Sequence, residues 1–306
     1  MEVKNMCGIG GVWCFKSALN EEDAEKLKRL AISLESRGNE AFGFYNGVKL
    51  IKFPSRASQV IEMIERLVSF ESLVAGKKMF LMHTRLATTG SPLDNVNNHP
   101  FETKHFVMAH NGQLWDYEYY YVVKNGIWLK EFDEPETDSY RIISKTEEEF
   151  KKCKDAIEAF KKAMEELYYQ GSYAIWIYSK VDDLLMLYRD SNPLSVAVDS
   201  GKLWFASEDT MLKKIGFKDV SEIKAGEILV YDRNGFVKSV KVAEVKQSTK
   251  FKRGGYWGYN YDYKKNQSII KNFDDTCTKY CDEFEDCIEH FSKYGIKLCD
   301  KFFYGY

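Results

Sequence analysis

Cys7 is the residue whose type and position best fit covalent chemistry. It lies in Met-Cys-Gly-Ile-Gly-Gly-Val, residues 6–12, a pattern that predicts a nucleophile at the opening of a strand. A cysteine at a free amino terminus combines two catalytic groups, because its sulfur attacks while its α-amine, with a reference pKa of about 7.7–8.0, takes the thiol proton. Translation from Met6 or cleavage of a short leader would expose that amine. In the alternative interpretation Cys7 is a packing cysteine.

Three further segments carry polar residues close to predicted strands or helices. The apolar run 79–82 leads into His-Thr-Arg-Leu-Ala-Thr-Thr-Gly, residues 83–90, which presents one arginine in a loop. The strand 106–110 ends at Asn111-Gly112, a pair that favours a turn with a positive φ and an exposed backbone N–H, as an oxyanion hole requires. Glu-Thr-Asp-Ser, residues 136–139, places an acid at the start of an amphipathic helix. Taken singly, these segments also fit a hairpin turn and a helix N-cap.

Together, in this order, the segments resemble the class II (N-terminal nucleophile) glutamine amidotransferases, above all the glutaminase half of glucosamine-6-phosphate synthase. The resemblance extends over about residues 7–240. The matching segments are Cys7–Ile9, Arg37–Gly43, His83–Gly90, His110–Gly112, Glu136–Asp138, Gly171–Ala174, Arg189–Leu194, Phe205–Glu208 and Val220–Tyr231.

The resemblance implies a role for each group at the reacting amide. Cys7 would attack the side-chain amide of L-glutamine, form a γ-glutamyl thioester and release ammonia, with its own α-amine as base and then as acid. The side chain of Asn111 and the N–H of Gly112 would hold the developing oxyanion. These three residues are the expected catalytic set.

The resemblance also implies how the two charges of the amino acid are recognised. Arg85, helped by Thr88, would bind the α-carboxylate with its planar fork, and Asp138 would pair with the α-ammonium. Arg37 and Gly8 would support the nucleophile, Arg37 with either a structural or a catalytic part. No cofactor and no metal site is expected.

Three positions depart from the family pattern. Leu86 stands where the sugar-phosphate synthase has a tryptophan, Thr89 replaces a histidine, and Asn39-Glu40 replaces an aromatic residue or proline followed by aspartate. None of these changes removes a group needed for the thioester. They leave open which acceptor receives the ammonia.

Composition agrees with an enzyme that works free of membranes and nucleic acid. The 306 residues are 44% hydrophobic and 29% charged, enough for a substantial core. The net charge of −2 argues against a general polyanion binder, and no apolar run is long enough to span a membrane. Seven cysteines with no apparent disulfide framework favour a reducing, cytoplasmic location.

Hydrophobic periodicity predicts helices in two groups and strands of antiparallel type. These elements fit an α+β fold, the four-layer α/β/β/α sandwich of antiparallel sheets that the resemblance to N-terminal nucleophile hydrolases implies. The glutaminase domain is expected to span 7–245. Helices are predicted at 21–35, 57–75 and 146–169, and strands at 8–15, 41–53, 79–84, 106–110, 173–179, 184–189, 194–198, 202–206 and 227–231, with a closing strand pair in 220–231. Three histidines match family positions, and we interpret them as hydrogen-bonded structural residues: His83, His99 and His110.

The last part of the chain lies beyond the resemblance. Residues 246–267 are rich in glycine, aromatic and basic residues and are interpreted as a linker, with stacking on single-stranded nucleic acid as the alternative. Residues 268–306 are expected to form a helical tail whose apolar heptad seam, within 268–295, is an association surface. Cys-x3-Cys-x5-Cys-x2-His, residues 277–290, cannot easily surround zinc from one helix.

Three functional hypotheses follow. In the first, the chain is an amidotransferase subunit that hydrolyses L-glutamine and passes ammonia to an acceptor-synthase subunit. In the second it is a stand-alone hydrolase of a γ-glutamyl amide on a larger molecule. In the third it is an idle scaffold that works through its tail helix, docking on its own domain, on a partner or on a second copy; the intact set of site residues argues against this hypothesis.

Overall fold

The computed structural model describes residues 6–242, except 115–120, 125–126, 131–134, 136 and 169. For the strands within 121–130 it describes the backbone alone. The predicted linker 246–267 and the predicted tail 268–306 lie outside the described residues.

Two antiparallel sheets form the centre of the described domain. The described strands are, in chain order, β1 (Gly8–Cys14), β2 (Ala41–Tyr45), β3 (Leu50–Phe53), β4 (Met79–Arg85), β5 (Phe101–Glu102), β6 (Phe106–Leu114), β7 (Tyr121–Lys124), β8 (Ile127–Lys130), β9 (Gly171–Ser179), β10 (Leu184–Arg189), β11 (Ser195–Asp199), β12 (Lys202–Ala206), β13 (Ser221–Glu222), β14 (Glu227–Asp232) and β15 (Gly235–Lys241). The first sheet has the order β13-β11-β12-β1-β4-β2-β3 and the second the order β15-β14-β10-β9-β6-β5, while β7 and β8 form a separate hairpin.

Helices cover the outer face of each sheet. The described helices are α1 (Glu21–Leu34), α2 (Ala57–Leu67), α3 (Phe70–Val74), α4 (Tyr140–Cys153), α5 (Ala156–Leu167) and α6 (Asp209–Lys214). One core joins α1, α2, α3 and α6 to the first sheet and includes Leu27 and Trp204. A second core joins α4 and α5 to the second sheet around Phe160. A third fills the space between the sheets, where Trp13 and Trp176 are buried. The four-layer α/β/β/α sandwich is therefore confirmed.

Side-chain alternation decides which strand residues face the space between the sheets. On β1, Ile9 and Trp13 belong to the inter-sheet core, whereas Val12 packs on the helical side. On β6, Val107 and Ala109 belong to the inter-sheet core. Successive strand residues point to opposite faces. The odd-numbered position that comes before Ile9 at the start of β1, and the one that comes after Ala109 in β6, therefore also face this space.

Two predicted helices are each divided in two. The segment 57–75 forms α2 and α3, because the chain becomes extended and the hydroxyl of Ser69 accepts a hydrogen bond that begins α3. The segment 146–169 falls within α4 and α5, which are separated by Lys154 in the left-handed conformation (φ 60°) and by the N-cap side chain of Asp155. Both breaks follow from local capping, which overrides continuous apolar periodicity. The helix predicted at 21–35 is confirmed.

Three strand predictions are corrected. The segment 41–53 is a hairpin of β2 and β3 that turns at Asn46-Gly47. Asn111-Gly112, predicted as a turn, lies inside β6, which continues to Leu114. The predicted pair in 220–231 is wrong, because β13 pairs with β11 in the first sheet and β14 pairs with β10 and β15 in the second. β15 was absent from the predicted elements.

No helix among the described residues combines the length and the apolar character needed to cross a membrane.

Candidate active site

Cys7 lies directly before β1, and three hydrogen bonds fix the main chain around it. The N–H of Ile9 donates to the hydroxyl of Ser207 (2.9 Å), and the N–H of Ser207 donates to the carbonyl of Ile9 (2.8 Å). The Nε of Arg37 donates to the carbonyl of Cys7 itself (3.0 Å). By the alternation of β1, the Cys7 side chain is on the inter-sheet side of the strand.

The Cys7 thiol is half-buried beside the backbone of Leu86. The Leu86 N–H approaches Sγ at 3.4 Å, and Sγ lies 3.5 Å from the Leu86 carbonyl oxygen. Burial raises the pKa of the thiol from 9.0 to about 11, more than the opposing charges of Arg85 and Arg37 lower it, and Asp138 raises it further. The thiol is therefore neutral at physiological pH and needs a base in order to react.

Arg37 links Cys7 to the beginning of α6. Its Nη1 forms a 2.6 Å ion pair with Glu208, and its Nη2 is buried without a partner among the described residues. The adjacent Gly38 is required by close packing, because a Cβ there would lie 2.5 Å from the carbonyl carbon of Arg85. Gly8 is similarly constrained, because a Cβ added to it would lie only 2.6 Å from Thr84 Oγ1.

Asn111 projects from β6 toward the inter-sheet space. Its side chain is fully buried, and neither Nδ2 nor Oδ1 has a hydrogen-bond partner among the described residues. Its backbone is held firmly, since Asn192 Nδ2 donates to the Asn111 carbonyl at 2.8 Å. Burying an amide without hydrogen-bond partners destabilises the folded state by about 1–3 kcal/mol. An amide that is kept in this state is available to hydrogen-bond a ligand.

Gly112 follows within the same strand, opposite Tyr173 of β9. Its φ of +155° and its surroundings both demand glycine, because a Cβ would collide with the carbonyl oxygen of Ser172 and with Nε2 of His110. Strand pairing, and not a turn, therefore places the Asn111 side chain on the side of the sandwich on which the Cys7 side chain lies, with Gly112 next to it in the strand.

The three family histidines form buried supports around this strand. His110 contacts the hydroxyl of Ser139 through Nδ1 and the carbonyl of Ser172 through Nε2, both at 2.9 Å. His83 Nε2 lies 3.2 Å from the carbonyl of His110, and the His99 ring stacks on His83 with centroids 4.0 Å apart. Burial lowers the pKa of all three imidazoles. His83 and His110 are therefore hydrogen-bonded structural residues, as predicted. For His99 the prediction is wrong, because both of its ring nitrogens are buried without a hydrogen-bond partner among the described residues, and the ring is held by stacking.

Asp138 lies two residues before the first residue of α4, close to the start of the helix as the sequence predicts. One carboxylate oxygen accepts from the N–H of Leu114 (2.7 Å) and the other from the N–H of Ser139 (2.8 Å). The first bond ties the start of α4 to the end of β6, near Gly112. A buried carboxylate held in this way keeps lone pairs for a cationic ligand.

Arg85 ends β4 and is almost fully buried. Its Nη1 donates to Asn98 Oδ1 (2.8 Å) and to the carbonyl of Ser91 (3.4 Å), while Nη2 donates to the carbonyls of Thr89 and Gly90. The fork expected to hold a carboxylate is thus occupied by the loop that follows it. Burial lowers the pKa of Arg85, and the carboxylates around it oppose that effect.

The same loop carries Thr88, whose side chain is exposed. Glu40, which lies directly before β2, holds this loop in place. The N–H of Glu40 donates to the carbonyl of Arg85 (3.0 Å), and its carboxylate accepts from the N–H of Ala87 (2.5 Å). The departure from the family pattern at Asn39-Glu40 therefore places a carboxylate as a cap on the loop beside Leu86.

Sequence reasoning missed four supports of the site: Ser207, Glu208, Asn192 and Asn98. The first three lie in segments that match the family, but their roles depend on contacts between residues 81 to 198 positions apart, which local patterns do not reveal.

Comparison with known proteins agrees with the motifs. No protein-family profile matches the sequence. A glutamine–fructose-6-phosphate aminotransferase [isomerizing] from Francisella tularensis is 26% identical over 270 residues, which cover 83% of this chain and 41% of the relative. Its counterpart from Sulfurisphaera tokodaii is 29% identical over 210 residues, 66% of this chain and 33% of the relative.

The described domain is thus similar to class II glutamine amidotransferases. Solved structures support this similarity at the level of the fold. A glutamine phosphoribosylpyrophosphate amidotransferase from B. subtilis aligns with a TM-score of 0.57 and 21% identity over 78% of this chain and 49% of that one. A second structure, titled an allosteric regulatory enzyme of purine biosynthesis, aligns at 0.59 and 22% with the same two coverages, 78% and 49%. The chain spans about two-fifths or less of the two curated relatives described above.

Proposed function

We propose that the domain hydrolyses L-glutamine to glutamate and ammonia through a γ-glutamyl thioester on Cys7. The observation that carries this proposal is the buried Asn111 amide, which has no partner among the described residues and lies on the inter-sheet side of β6 beside Gly112. An unpartnered donor fixed in a dry site is what a developing oxyanion requires.

The reaction follows from these groups. The α-amine of Cys7 takes the thiol proton, and Sγ attacks the side-chain carbonyl carbon of glutamine. Asn111 Nδ2 and the Gly112 N–H donate to the oxyanion, a contribution of about 2.7–4 kcal/mol for one such donor. The intermediate collapses, the C–N bond breaks, and the α-ammonium returns its proton to the leaving ammonia. Water then cleaves the thioester and releases glutamate.

The mechanism requires that Cys7 become the first residue. With a pKa of about 11, the thiol is ionised at pH 7 only to about one part in ten thousand, so a neighbouring base is needed. Among the charged neighbours of Cys7, the guanidinium groups of Arg85 and Arg37 are donors that cannot accept the proton, and Asp138 is assigned to the substrate α-ammonium. We infer that translation from Met6, or removal of a leader, supplies the α-amine.

Recognition of the amino acid is assigned to Asp138 and Arg85. Asp138 would pair with the α-ammonium through its remaining lone pairs. Arg85, with Thr88, would bind the α-carboxylate, which must replace loop carbonyls of Thr89 and Gly90 on the guanidinium. Gly8 and Arg37 support the nucleophile, Gly8 by close packing and Arg37 by holding the Cys7 carbonyl.

We further propose that the ammonia is delivered to an acceptor synthase on another chain. The relatives are named as aminotransferases of fructose 6-phosphate, which supports transfer of the ammonia to an acceptor. The departures at Leu86 and Thr89 leave the acceptor's identity open.

Protein translated from Met6 tests the proposal. It should release equal amounts of glutamate and ammonia from glutamine, while the matched Cys7→Ala protein, folded as judged by circular dichroism, should release neither. Absence of hydrolysis by protein whose mass shows Cys7 at the amino terminus would contradict the proposal. Release of glutamate that survives Cys7→Ala would contradict the assignment of the thiol.

A second function, hydrolysis of a γ-glutamyl amide on a larger molecule, is favoured by one observation. All four contacts of the Arg85 Nη atoms are to the protein, so the fork is not open to a free amino acid in this conformation. If this function is correct, Arg85→Lys leaves the KM for the larger amide unchanged, and free glutamine is the poorer substrate.

A further inference from the structure

Lys52 of β3 supports the turn that grips Arg85. Its Nζ donates to the carbonyl of Asn98 at 2.8 Å, and its own carbonyl accepts from Asn95 Nδ2 at 3.0 Å. The ammonium also lies 5.3 Å from the centre of the Phe101 ring. One residue therefore holds both ends of the turn 95–98, although β3 is separated from β4 by β2 in the sheet.

Asn98 passes this support to Arg85. Its Oδ1 accepts from Arg85 Nη1 at 2.8 Å, and its Nδ2 donates to the carbonyl of Pro92 (2.8 Å) and to Asn95 Oδ1 (2.9 Å). Both ends of the buried amide are thus fixed, so its oxygen is presented to the guanidinium in one orientation. The loop carbonyls can leave Arg85 when a carboxylate binds, whereas the Asn98 contact belongs to a turn that Lys52 anchors.

Charges of both signs surround Lys52. Burial, followed by the charge of Arg85, lowers the pKa of Lys52 to about 7, while Glu102 and Asp94 oppose the change. The neighbouring His99 is neutral, because burial holds its pKa well below the ordinary value. A carboxylate bound at Arg85 would stabilise the charged ammonium.

We propose that Lys52 is a positioning residue for the substrate α-carboxylate, acting through Asn98 to hold Arg85 in place and adding its own positive charge to that pocket. This inference rests on the proposed role of Arg85. It makes Lys52 a determinant of the affinity for an amino acid with a free carboxylate, and not of the chemical step.

The lowered pKa of Lys52 sets how its contribution to substrate binding depends on pH. Lys52 is charged below about pH 7 and loses its charge as the pH rises through that value. Its contribution to kcat/KM for glutamine should therefore be full at pH 6 and absent at pH 8.5. In kcat, measured with bound substrate, no such loss is expected, because Lys52 affects the affinity and not the chemical step.

Three variants of protein begun at Met6 provide the test. Lys52→Met should raise the KM for glutamine at pH 6 by about tenfold, the loss expected for a hydrogen bond to a charged group, and leave kcat within about twofold. Lys52→Arg, which stays charged, should keep a low KM to pH 8.5. Lys26→Met is the control. Lys26 is also half-buried over an aromatic ring, 5.8 Å from the centre of Phe217, but it lies on α1. The Lys26→Met protein should have the KM and kcat of the unmodified protein.

A readout at Cys7 separates this inference from the proposed function. The ratio of alkylation rates by a glutamine-shaped diazo-ketone, which carries an α-carboxylate, and by iodoacetamide, which does not, should fall about tenfold in Lys52→Met and not in Lys26→Met. That fall supports the inference even if glutamine is not turned over. Hydrolysis of glutamine with an unchanged ratio and an unchanged KM would overturn the inference while the proposed function stands. If Lys52→Met does not fold, Lys52→Arg decides, since an unaltered pH profile of kcat/KM in that variant contradicts the proposal.

Discussion

Two Asn-Gly pairs in this domain have the same sequence and opposite environments. Asn46-Gly47 forms the turn between β2 and β3, where the Asn46 side chain accepts from two backbone N–H groups (2.8 and 3.1 Å) and donates to the carbonyl of Leu73 (3.0 Å). Asn111-Gly112 continues a strand, and the Asn111 side chain has no partner among the described residues. Both amides are buried.

The difference separates a structural amide from one available for chemistry. Asn46 uses its hydrogen-bonding groups to close a turn, so its removal should affect stability. Asn111 is held by its backbone while its side chain contributes no hydrogen bond to the described part of the domain, so its removal should affect a bound ligand or transition state.

The largest effect is expected from the matched alanine pair. Asn111→Ala should lower kcat for glutamine by about 10²–10³-fold, because one oxyanion donor is lost, with little loss of thermal stability. Asn46→Ala should leave kcat nearly unchanged and lower the free energy of unfolding by about 2 kcal/mol, because three hydrogen bonds are lost. Steady-state kinetics and denaturant unfolding on both variants measure the two quantities. If Asn111→Ala and Asn46→Ala lowered kcat equally, the distinction between a catalytic and a structural amide would be wrong.

The two glycines sharpen the comparison. Gly112→Ala should displace the strand, because the added methyl collides with Ser172 and His110, and activity should fall at least as far as in Asn111→Ala. Gly47→Ala has room, with its nearest neighbour 3.5 Å away, and its only cost is the positive φ of +88°, about 1–2 kcal/mol. Chemical denaturation and glutaminase rates distinguish the cases. A fully active Gly112→Ala protein would show that the N–H geometry at this position is unimportant.

The same comparison shows how far the sequence predicts the structure. Family motifs and periodicity identify Cys7, Asn111 and Asp138 and the order of the layers, because these depend on local residue types and on alternation. They do not distinguish Asn46-Gly47 from Asn111-Gly112, because the pair forms a strand only where a neighbouring strand lies opposite it and offers backbone hydrogen bonds. β9 supplies that partner for the second pair.

Other differences have equally physical causes. The predicted helices 57–75 and 146–169 are interrupted by Ser69 and Asp155, whose caps compete with apolar periodicity. The occupied fork of Arg85 could not be predicted, because its partners are loop carbonyls that have no sequence signature.

A third prediction extends the comparison to the charged ends of the substrate. Arg85→Lys should raise the KM for glutamine by about tenfold or more, because one ammonium cannot replace a bidentate fork, and Asp138→Asn should act similarly through the α-ammonium. Arg66→Lys, an exposed control on α2, should change nothing. An unchanged KM in both site variants would favour the larger γ-glutamyl substrate.

A fourth prediction concerns pH and the residues before Cys7. In protein that retains them, the thiol pKa of about 11 predicts that alkylation of Cys7 accelerates about tenfold per pH unit between pH 8 and 10, since only the thiolate reacts. In protein begun at Met6, the kcat for glutamine should instead rise with pH through about 7.7–8.0, where the α-amine loses its proton, and then level off. Glutaminase activity of protein that retains Met1 would contradict the α-amine mechanism.

The central assignment is best tested by mapping a covalent adduct. Cys7 and Cys14 lie at the two ends of the β1 segment, and burial raises the pKa of both thiols to about 11, so their intrinsic reactivities are similar. Protein begun at Met6 should be treated with a glutamine-shaped diazo-ketone and its adduct located by intact mass and peptide mapping. One equivalent on Cys7, prevented by excess glutamine, is the predicted result. An adduct on Cys14, or none on Cys7, would contradict the assignment of the nucleophile.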